Sequence, residues 1–339
     1  MNIALAAMNG MTFAYIGVYI MVFLFGITIG SFLNVCILRL PRGESLIKRN
    51  SHCMTCGAEI KRYDLIPLFS WLILGGKCRA CKAPISPRYS VVEALTGILF
   101  TLVFMQHDFI YDGMAYSAML CLFIAGIIVI GFEDFDTQEM SVCVLVYLGI
   151  IAFVTAVLSV LCPTVFRGNT VLVSDRLIGM FAVSVPLLLI GFVITPLVYI
   201  FFISEDHKSI RRLKRRLKNK GLSAKERDRV TSSLNEKLKA VKERGPVFGF
   251  GMGDVIFMAA GGLMLGWKAV VVAAFIAIVL GALYAMVLRI KNAKKDEEGE
   301  SAFAFGPFLA IGLAAAVFYG TEIFELYMNA FTVPQVPVM

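Results

Sequence analysis

Charge is scarce in this sequence. Asp, Glu, Lys and Arg make up 17% of the 339 residues, whereas a soluble domain carries about 25%. Hydrophobic residues make up 58%, and the mean hydropathy is +0.79. This composition excludes a water-soluble globular protein, a disordered chain and a fibrous protein. It predicts a polytopic membrane protein.

The first charged residue is Arg39. A positively charged stretch and a small-residue cleavage site are also missing before it. We therefore expect the first apolar run to be a retained transmembrane helix and not a removable signal peptide.

Eight apolar runs are candidates for transmembrane helices, each of which needs about 20 mostly apolar residues. They lie near 12–38, 90–106, 113–133, 140–162, 177–203, 254–266, 268–289 and 303–320. The sixth is short for a full crossing, and we expect it to include part of the Gly-rich stretch before it. The predicted fold is an all-α membrane protein of about eight helices.

The distribution of basic residues predicts the orientation. Residues 39–88 carry ten Lys and Arg, residues 204–248 carry fifteen and residues 289–302 carry four, which is 29 of the 32 in the chain. Eight alternating spans place these three segments on one side. The positive-inside rule makes that side cytoplasmic, with both termini outside and no role in nucleic-acid binding for the positive charge.

Two C-x-x-C pairs lie in the polar segment before the second span. Cys53, Cys56, Cys78 and Cys81 have the spacing of a structural zinc site, in which each pair supplies two thiolates. Disulfides are the alternative, but a cytoplasmic face is kept reduced. We interpret residues 39–89 as a small cytoplasmic insert stapled by zinc, and the other four cysteines as packing residues.

The basic segment 204–248 is predicted to be a cytoplasmic helical hairpin. Gly221 can end its first helix, and Ser223-Ala224-Lys225-Glu226 is a capping box that can start the second. A solvated helix pair is the simpler interpretation. A surface that attracts anionic lipid headgroups is the functional alternative.

Two acidic positions stand at predicted cytoplasmic ends of spans. One is the cluster Glu133-Asp134-Phe135-Asp136, and the other is Asp254, which closes the Gly-rich stretch 249–254. Two apposed carboxylates can share one proton, so that one acts as a base on water while the other acts as an acid. Taken singly, Asp254 could be a helix cap and the cluster ordinary juxtamembrane charge. Together they favour catalysis.

The combined motifs resemble those of bacterial type IV prepilin peptidases of the G-x-G-D aspartic class. The residues that carry the resemblance run from about 20 to 310. They are Gly30-Ser31-Phe32-Leu33-Asn34-Val35, Arg39-Leu40-Pro41, the two C-x-x-C pairs, Ile66-Pro67, Gly75-Gly76-Lys77-Cys78, Ile85-Ser86-Pro87-Arg88-Tyr89, Glu93, Asp134-Phe135-Asp136, Gly251-Met252-Gly253-Asp254 and Phe305-Gly306-Pro307-Phe308.

The resemblance implies a function and assigns residues to it. It implies an endopeptidase of the bacterial inner membrane that cleaves the leader peptide of prepilins or pseudopilins. It also implies N-methylation of the new N-terminal residue with S-adenosylmethionine. Asp134 and Asp254 correspond to the catalytic aspartates, although the residues alone do not choose between Asp134 and Asp136. The four cysteines of the pairs correspond to the zinc ligands, in a segment associated with methyl transfer.

The pattern departs from the family at three points, one of which is that the span before the Gly-rich motif is long. Thr137-Gln138-Glu139-Met140-Ser141 replaces the usual hydrophobic-Pro pair, and the basic segment lengthens the interval between Asp134 and Asp254. The alternatives are a G-x-G-D membrane protease that only cleaves, including a presenilin-like one, and a multi-span transporter with a zinc-stabilised insert. Transporter sites lie near the bilayer midplane, where these spans carry no charge.

The whole interpretation divides the chain into five parts. These are the first transmembrane helix (1–38), the zinc insert (39–89), spans two to five with the first aspartate (90–203), the basic hairpin (204–248), and the G-x-G-D motif with spans six to eight (249–339). The expected partners are prepilin or pseudopilin substrates and membrane lipids.

Overall fold

The structure is a computed structural model that describes residues 2–47, 51–107, 113–166, 171–194, 251–293 and 304–331, with a few positions between 212 and 234. Most of the predicted basic hairpin therefore lies outside the described residues. The chain divides into two compact units, Met1–Val183 with Ile256–Met339, and Ser184–Val255.

The described regular structure is helical. The helices are α1 (Asn2–Arg39), α2 (Phe69–Ile73), α3 (Arg88–Gln106), α4 (Met114–Thr137), α5 (Val142–Leu161), α6 (Val173–Ala182), α7 (Ser184–Leu189), α8 (Met252–Leu265), α9 (Trp267–Ala293) and α10 (Gly306–Phe331). Short 3₁₀ and π-helical turns occupy Arg62–Leu65 and Ile190–Ile194. Within the described ranges there is no β-strand, and two isolated β-bridges lie between α1 and α3.

Seven helical segments are long and apolar enough to cross a bilayer. They are Tyr15–Arg39, Arg88–Gln106, Met114–Thr137, Val142–Leu161, Val173–Val193, Trp267–Leu288 and Gly306–Ala330. The apolar helix α8 has 14 residues. Its length of about 21 Å falls short of a hydrocarbon core of about 30 Å. The predicted all-α membrane fold is confirmed, and α8 corresponds to the short sixth run.

Glycines allow α1 and α3 to pack with their backbones in contact. A Cβ at Gly26 would lie 2.8 Å from the Cα of Gly97, and one at Gly30 would lie 2.7 Å from the Cα of Glu93. Near the same end of α1, the buried Asn34 donates its side-chain N–H to the carbonyl of Tyr89 at 2.9 Å. The Gly-Ser-x-x-Asn motif is therefore a helix-packing motif that fixes the start of α3.

A buried arginine joins α6 to the end of α8. Arg176 is fully buried, and its guanidinium donates to the carbonyls of Leu263 and Met264 at 3.0 and 2.5 Å. These carbonyls belong to the last turn of α8, where no intrahelical donor remains for them. Nearby, Gly179 and Gly262 pack backbone to backbone, and neither position has room for a Cβ.

Candidate active site and metal centre

Three carboxylates cluster in the last turns of α4, and each has its own partner. Glu133 is fully buried and accepts hydrogen bonds from the backbone N–H and the hydroxyl of Ser141, at 3.2 and 3.1 Å. Ser141 directly precedes α5. Glu133 therefore ties the end of one spanning helix to the start of the next.

Asp136 forms an ion pair with Arg88, the first residue of α3. The guanidinium Nη1 lies 2.7 Å from Oδ1 of Asp136, and Nη2 lies 2.6 Å from Oδ2. The guanidinium also lies over the ring of Phe132, 5.1 Å from its centroid. A bidentate pair of this kind is strong and directional, so both oxygens of Asp136 are engaged.

Asp134 caps the start of α10. Its side chain is buried, and Oδ2 accepts the backbone N–H of Gly306 at 2.8 Å. The first N–H groups of a helix have no intrahelical acceptor, and the helix dipole is positive at this end. No hydrogen bond among the described residues engages the other oxygen, Oδ1, which leaves it available for chemistry.

The contact between Asp134 and α10 needs glycine at position 306. A Cβ there would lie 2.5 Å from Oδ2 of Asp134 and 2.6 Å from Cε of Met140. Pro307 follows at the second helical position, where the missing N–H of proline costs little. The Phe-Gly-Pro-Phe motif thus provides a bare backbone N–H for the carboxylate of Asp134.

Asp254 has a similar local environment in the other unit. It lies in the first turn of α8 with 8% of its surface exposed, and Oδ2 accepts the backbone N–H of Gly251 at 3.0 Å. An acidic residue at the third helical position commonly reaches back to the N-cap N–H in this way. Each predicted catalytic aspartate is therefore held at a helix N-terminus by the N–H of a glycine.

The two C-x-x-C pairs are turns with the same hydrogen bonds. In the first, the N–H of Gly57 donates to the carbonyl of Cys53, and the N–H of Cys53 donates to the carbonyl of Ala58, both at 2.9 Å. Gly57 has a φ of +70°, which glycine adopts without strain.

The second turn repeats this pattern. The backbone N–H of Lys82 donates to the carbonyl of Cys78 at 3.0 Å, and the backbone N–H of Cys78 donates to the carbonyl of Ala83 at 2.9 Å. Lys82 has a φ of +60°. All eight cysteines of the chain are described, and all are free thiols. The Sγ atoms of the two pairs (Cys53, Cys56, Cys78 and Cys81) lie within 4.8 Å of one another. This cluster could hold one metal ion.

The clustered thiols differ in acidity. Hydrogen bonds from the backbone of Cys56 and Thr55 lower the pKa of Cys53 to about 6. At Cys81 a backbone hydrogen bond from Ala83 acts in the same direction, but desolvation and the neighbouring thiols outweigh it and raise the pKa to about 11. The backbone hydrogen bonds thus favour the thiolate of Cys53, and the thiolate is the form that binds a metal.

An ion pair links the second turn to the 3₁₀ helix of the insert. Arg79 contacts both carboxylate oxygens of Asp64 at 2.6–3.2 Å. Hydrogen bonding to the Arg79 guanidinium lowers the pKa of Asp64. The guanidinium also lies over the ring of Tyr63, 5.3 Å from its centroid. The metal cluster is thus tied to the rest of the insert through Arg79.

The structure adds partners that the sequence did not assign. Arg88 and Gly306 belong to quoted motifs, but neither had a role until its contact with the α4 carboxylates was seen. Arg176 lies outside the three basic segments and had no predicted role. The available signal was an arginine beside Asp175 at the start of the long apolar segment Val173–Val193.

Two family models match the chain. The Bacterial Peptidase A24 N-terminal domain matches residues 24–107, and the Type IV leader peptidase family matches residues 121–286. The first match covers α3 and the cysteine cluster. The second covers Asp134, Asp254 and the basic segment between them. No solved structure matches the chain.

Some curated relatives match nearly the whole chain at lower identity, and others match about a third of it at higher identity. Proteins named prepilin leader peptidase/N-methyltransferase from Pseudomonas aeruginosa and Aeromonas hydrophila are each 27% identical. These matches cover 90% and 98% of this chain, and 92% and 100% of the relatives. A protein of the same name from Myxococcus xanthus is 41% identical over 36% of each chain.

Proposed function

Because the chain belongs to the type IV leader peptidase family, we propose that it is an aspartic endopeptidase of the bacterial inner membrane. It cleaves the leader peptide of prepilins or pseudopilins and N-methylates the new N-terminal residue. The observation that carries this proposal is the buried Asp134, held by one oxygen at the N-terminus of α10.

In the proposed mechanism, Asp134 and Asp254 act together on the scissile peptide bond and share one proton. The ionised carboxylate takes a proton from the attacking water, and the protonated one donates a hydrogen bond to the carbonyl of the substrate. The glycine N–H on Oδ2 of each aspartate orients that carboxylate before substrate arrives. Such preorganisation removes part of the cost of reaching the transition state.

The partners of the other two carboxylates support Asp134 as the catalytic member of its cluster. Glu133 is occupied by the two hydrogen bonds from Ser141, and Asp136 is occupied by the guanidinium of Arg88. Neither is arranged to exchange a proton with water during a reaction. Asp134 retains an oxygen without a hydrogen bond from the described residues.

The contacts around the end of α4 also support the proposed orientation. Arg88 at the start of α3 and Gly306 at the start of α10 both contact the last turns of α4. The insert, which ends at α3, therefore lies on the same face as Asp134. We propose that this face is cytoplasmic, because the insert carries ten Lys and Arg residues.

The metal held by the cysteine cluster is proposed to be zinc. Four sulfur ligands at about 2.3 Å in a tetrahedron lie roughly 3.8 Å from one another. The Sγ atoms of Cys53 and Cys81 are 3.8 Å apart. A bound zinc ion would supply structural stability to an insert with little core of its own. The methyl donor is proposed to be S-adenosylmethionine, from the N-methyltransferase names of the relatives.

Zinc binding is tested by elemental analysis. Protein purified under reducing conditions without chelators should contain about one zinc per chain, and Cys56→Ser should lose it. Cys143→Ser, at an exposed cysteine outside the cluster, is the matched control and should keep the metal. A metal-free wild-type protein would reject the zinc assignment.

A second prediction tests how Asp134 is positioned. Gly306→Ala places a methyl group against Oδ2 of Asp134, so leader cleavage should fall sharply while membrane insertion stays normal. Gly149→Ala in α5 is the control, because a Cβ there meets nothing within 4 Å. Equal cleavage by both variants would show that the contact with Gly306 does not matter.

The proposed activity is tested directly with purified enzyme in proteoliposomes and a prepilin as substrate. Mass spectrometry should detect a shortened pilin, and a further gain of one methyl group when S-adenosylmethionine is present. Cleavage without methylation would support the cleavage-only alternative. If the prepilin remains intact under conditions in which the enzyme binds its metal, the proposed activity is wrong.

A further inference from the structure

The short helix α2 in the insert exposes its apolar side and buries its polar side. Phe69, Leu72 and Ile73 share one side of the helix, and Leu72 and Ile73 are 64% and 80% exposed. Ser70, on the other side, is buried and donates its hydroxyl to the carbonyl of Tyr63 at 3.1 Å. A helix on a soluble surface buries its apolar side and exposes its polar side. The apolar side of α2 therefore fits a lipid environment and not an aqueous one.

A hydrogen bond to α3 places the start of α2 at membrane depth. Leu68, directly before α2, donates its N–H to Oε2 of Glu93 at 2.8 Å. Glu93 lies about 7.5 Å along the axis of α3 from Arg88. The 19 residues of α3 span about 28 Å, so the whole helix is needed to cross a core of about 30 Å. Arg88, the first residue of α3, therefore marks the edge of the hydrocarbon core. The N–H of Leu68 lies deeper than Arg88, on the hydrocarbon side of that edge.

Several contacts fix this arrangement. Glu93 is buried, and Leu68 is held at a φ of +62°, which is uncommon for a residue with a side chain. The indole N–H of Trp71 donates to the carbonyl of Ile85 at 3.2 Å, and its ring leaves no room for a Cβ at Gly76. Contacts of Leu68 before α2 and of Trp71 within it thus fix the orientation of the helix, with its apolar residues facing outward.

We propose that the apolar face of α2 (Phe69, Leu72 and Ile73), together with the exposed Ile66 before the helix, is a docking surface for membrane lipid. It inserts among the upper acyl chains of the leaflet on the side of the insert. Exposed basic residues, Lys61 before this face and Lys77 after it, suit anionic headgroups at its edges. The surface holds the metal-binding insert against the bilayer. It rests on the membrane-spanning character of the chain and not on the proposed enzymatic activity.

The chain offers an internal reporter for this proposal, because it has only two tryptophans. The variant Trp267→Phe leaves Trp71, next to the apolar face, as the one fluorophore of its kind. The metal-loaded full-length variant is reconstituted with phosphatidylcholine and phosphatidylglycerol that carry bromine at shallow or deep acyl positions. Interfacial helices bury their apolar face roughly 5–10 Å into the headgroup and acyl boundary. Shallow bromines should therefore quench Trp71 more strongly than deep ones.

Substitutions then assign the quenching to the face itself. In the Trp267→Phe background, Phe69→Ser combined with Leu72→Ser and Ile73→Ser should lose most of the quenching. Met54→Gln changes an exposed apolar side chain in the first cysteine turn and should leave the quenching unchanged. Retention of one metal ion per chain shows that the insert is folded in each variant. The single change Ile73→Gln gives a milder test if the triple variant loses its metal.

Two results would overturn the proposal. One is Trp71 emission that is equal in brominated and unbrominated bilayers, which would place the face in water or against protein. The other is quenching that disappears when a prepilin is added at saturating concentration. That result would assign the surface to the substrate and not to lipid.

Discussion

Replacing Asp134 by Asn should abolish leader cleavage and leave the fold intact. Asn can still accept the N–H of Gly306 through its carbonyl oxygen, so the cap on α10 is preserved. It cannot ionise or hold the shared proton. Loss of a general acid or base costs roughly 10²–10⁴-fold in rate, and because the other aspartate cannot act alone, the single change should remove the function of the whole dyad. Cleavage of a purified prepilin, followed over time by gel or mass spectrometry, measures the effect.

Asp136→Asn is the matched control, two residues along the same helix. It keeps one neutral hydrogen-bond acceptor for Arg88 but removes the charge of the ion pair, which lies on side chains that are about one-third exposed and does not take part in the proposed proton transfer. Cleavage should therefore stay close to that of the wild type. An inactive Asp136→Asn beside an active Asp134→Asn would mean that the other member of the cluster is catalytic.

Asp254→Asn should have an equally large effect on cleavage. The Asn side chain can keep the hydrogen bond from the N–H of Gly251, so α8 should still start at Met252. Asp254→Ala would lose that bond as well and should destabilise the helix start, because the N–H of Gly251 loses its acceptor. Comparison of the two variants separates the chemistry from the capping. The rates are measured in the same cleavage assay, and thermal unfolding reports the stability.

The control for position 254 is Asp175→Asn, because Asp175 also lies in the first turn of a helix, α6. It carries no proposed chemistry, so cleavage should be unchanged. If Asp254→Asn cleaves at the wild-type rate, the aspartate is a helix cap and not a catalytic residue.

Hydropathy and cysteine spacing predicted much of this fold. Transmembrane helices need long apolar runs, and the runs near 90–106 and 140–162 appear as α3 and α5. The short apolar run before Trp267 is the 14-residue helix α8. The doubled C-x-x-C pattern predicted that the four sulfur atoms would come together. These features depend on composition over short windows, which a single sequence displays.

The choice among the acidic residues at the end of α4 could not be made from the sequence. It depends on Arg88, which lies 48 residues from Asp136, and on Gly306, which lies 172 residues from Asp134. Only the packing of three helices shows which carboxylate has an ion-pair partner and which caps a helix. The exposed side of α2 was likewise hidden, because five residues are too few for a hydropathy signal. The convergence of Asp134 and Asp254 stays a prediction.

The most direct test of that convergence compares Asp134→Asn, Asp254→Asn and the double variant in one cleavage assay. Residues that act as a single catalytic unit are strongly non-additive, and losing either one removes the function of both. The double variant should therefore be no slower than either single variant. A double variant in which the two losses multiply, or a single variant that cleaves at the wild-type rate, would contradict the proposed aspartate pair.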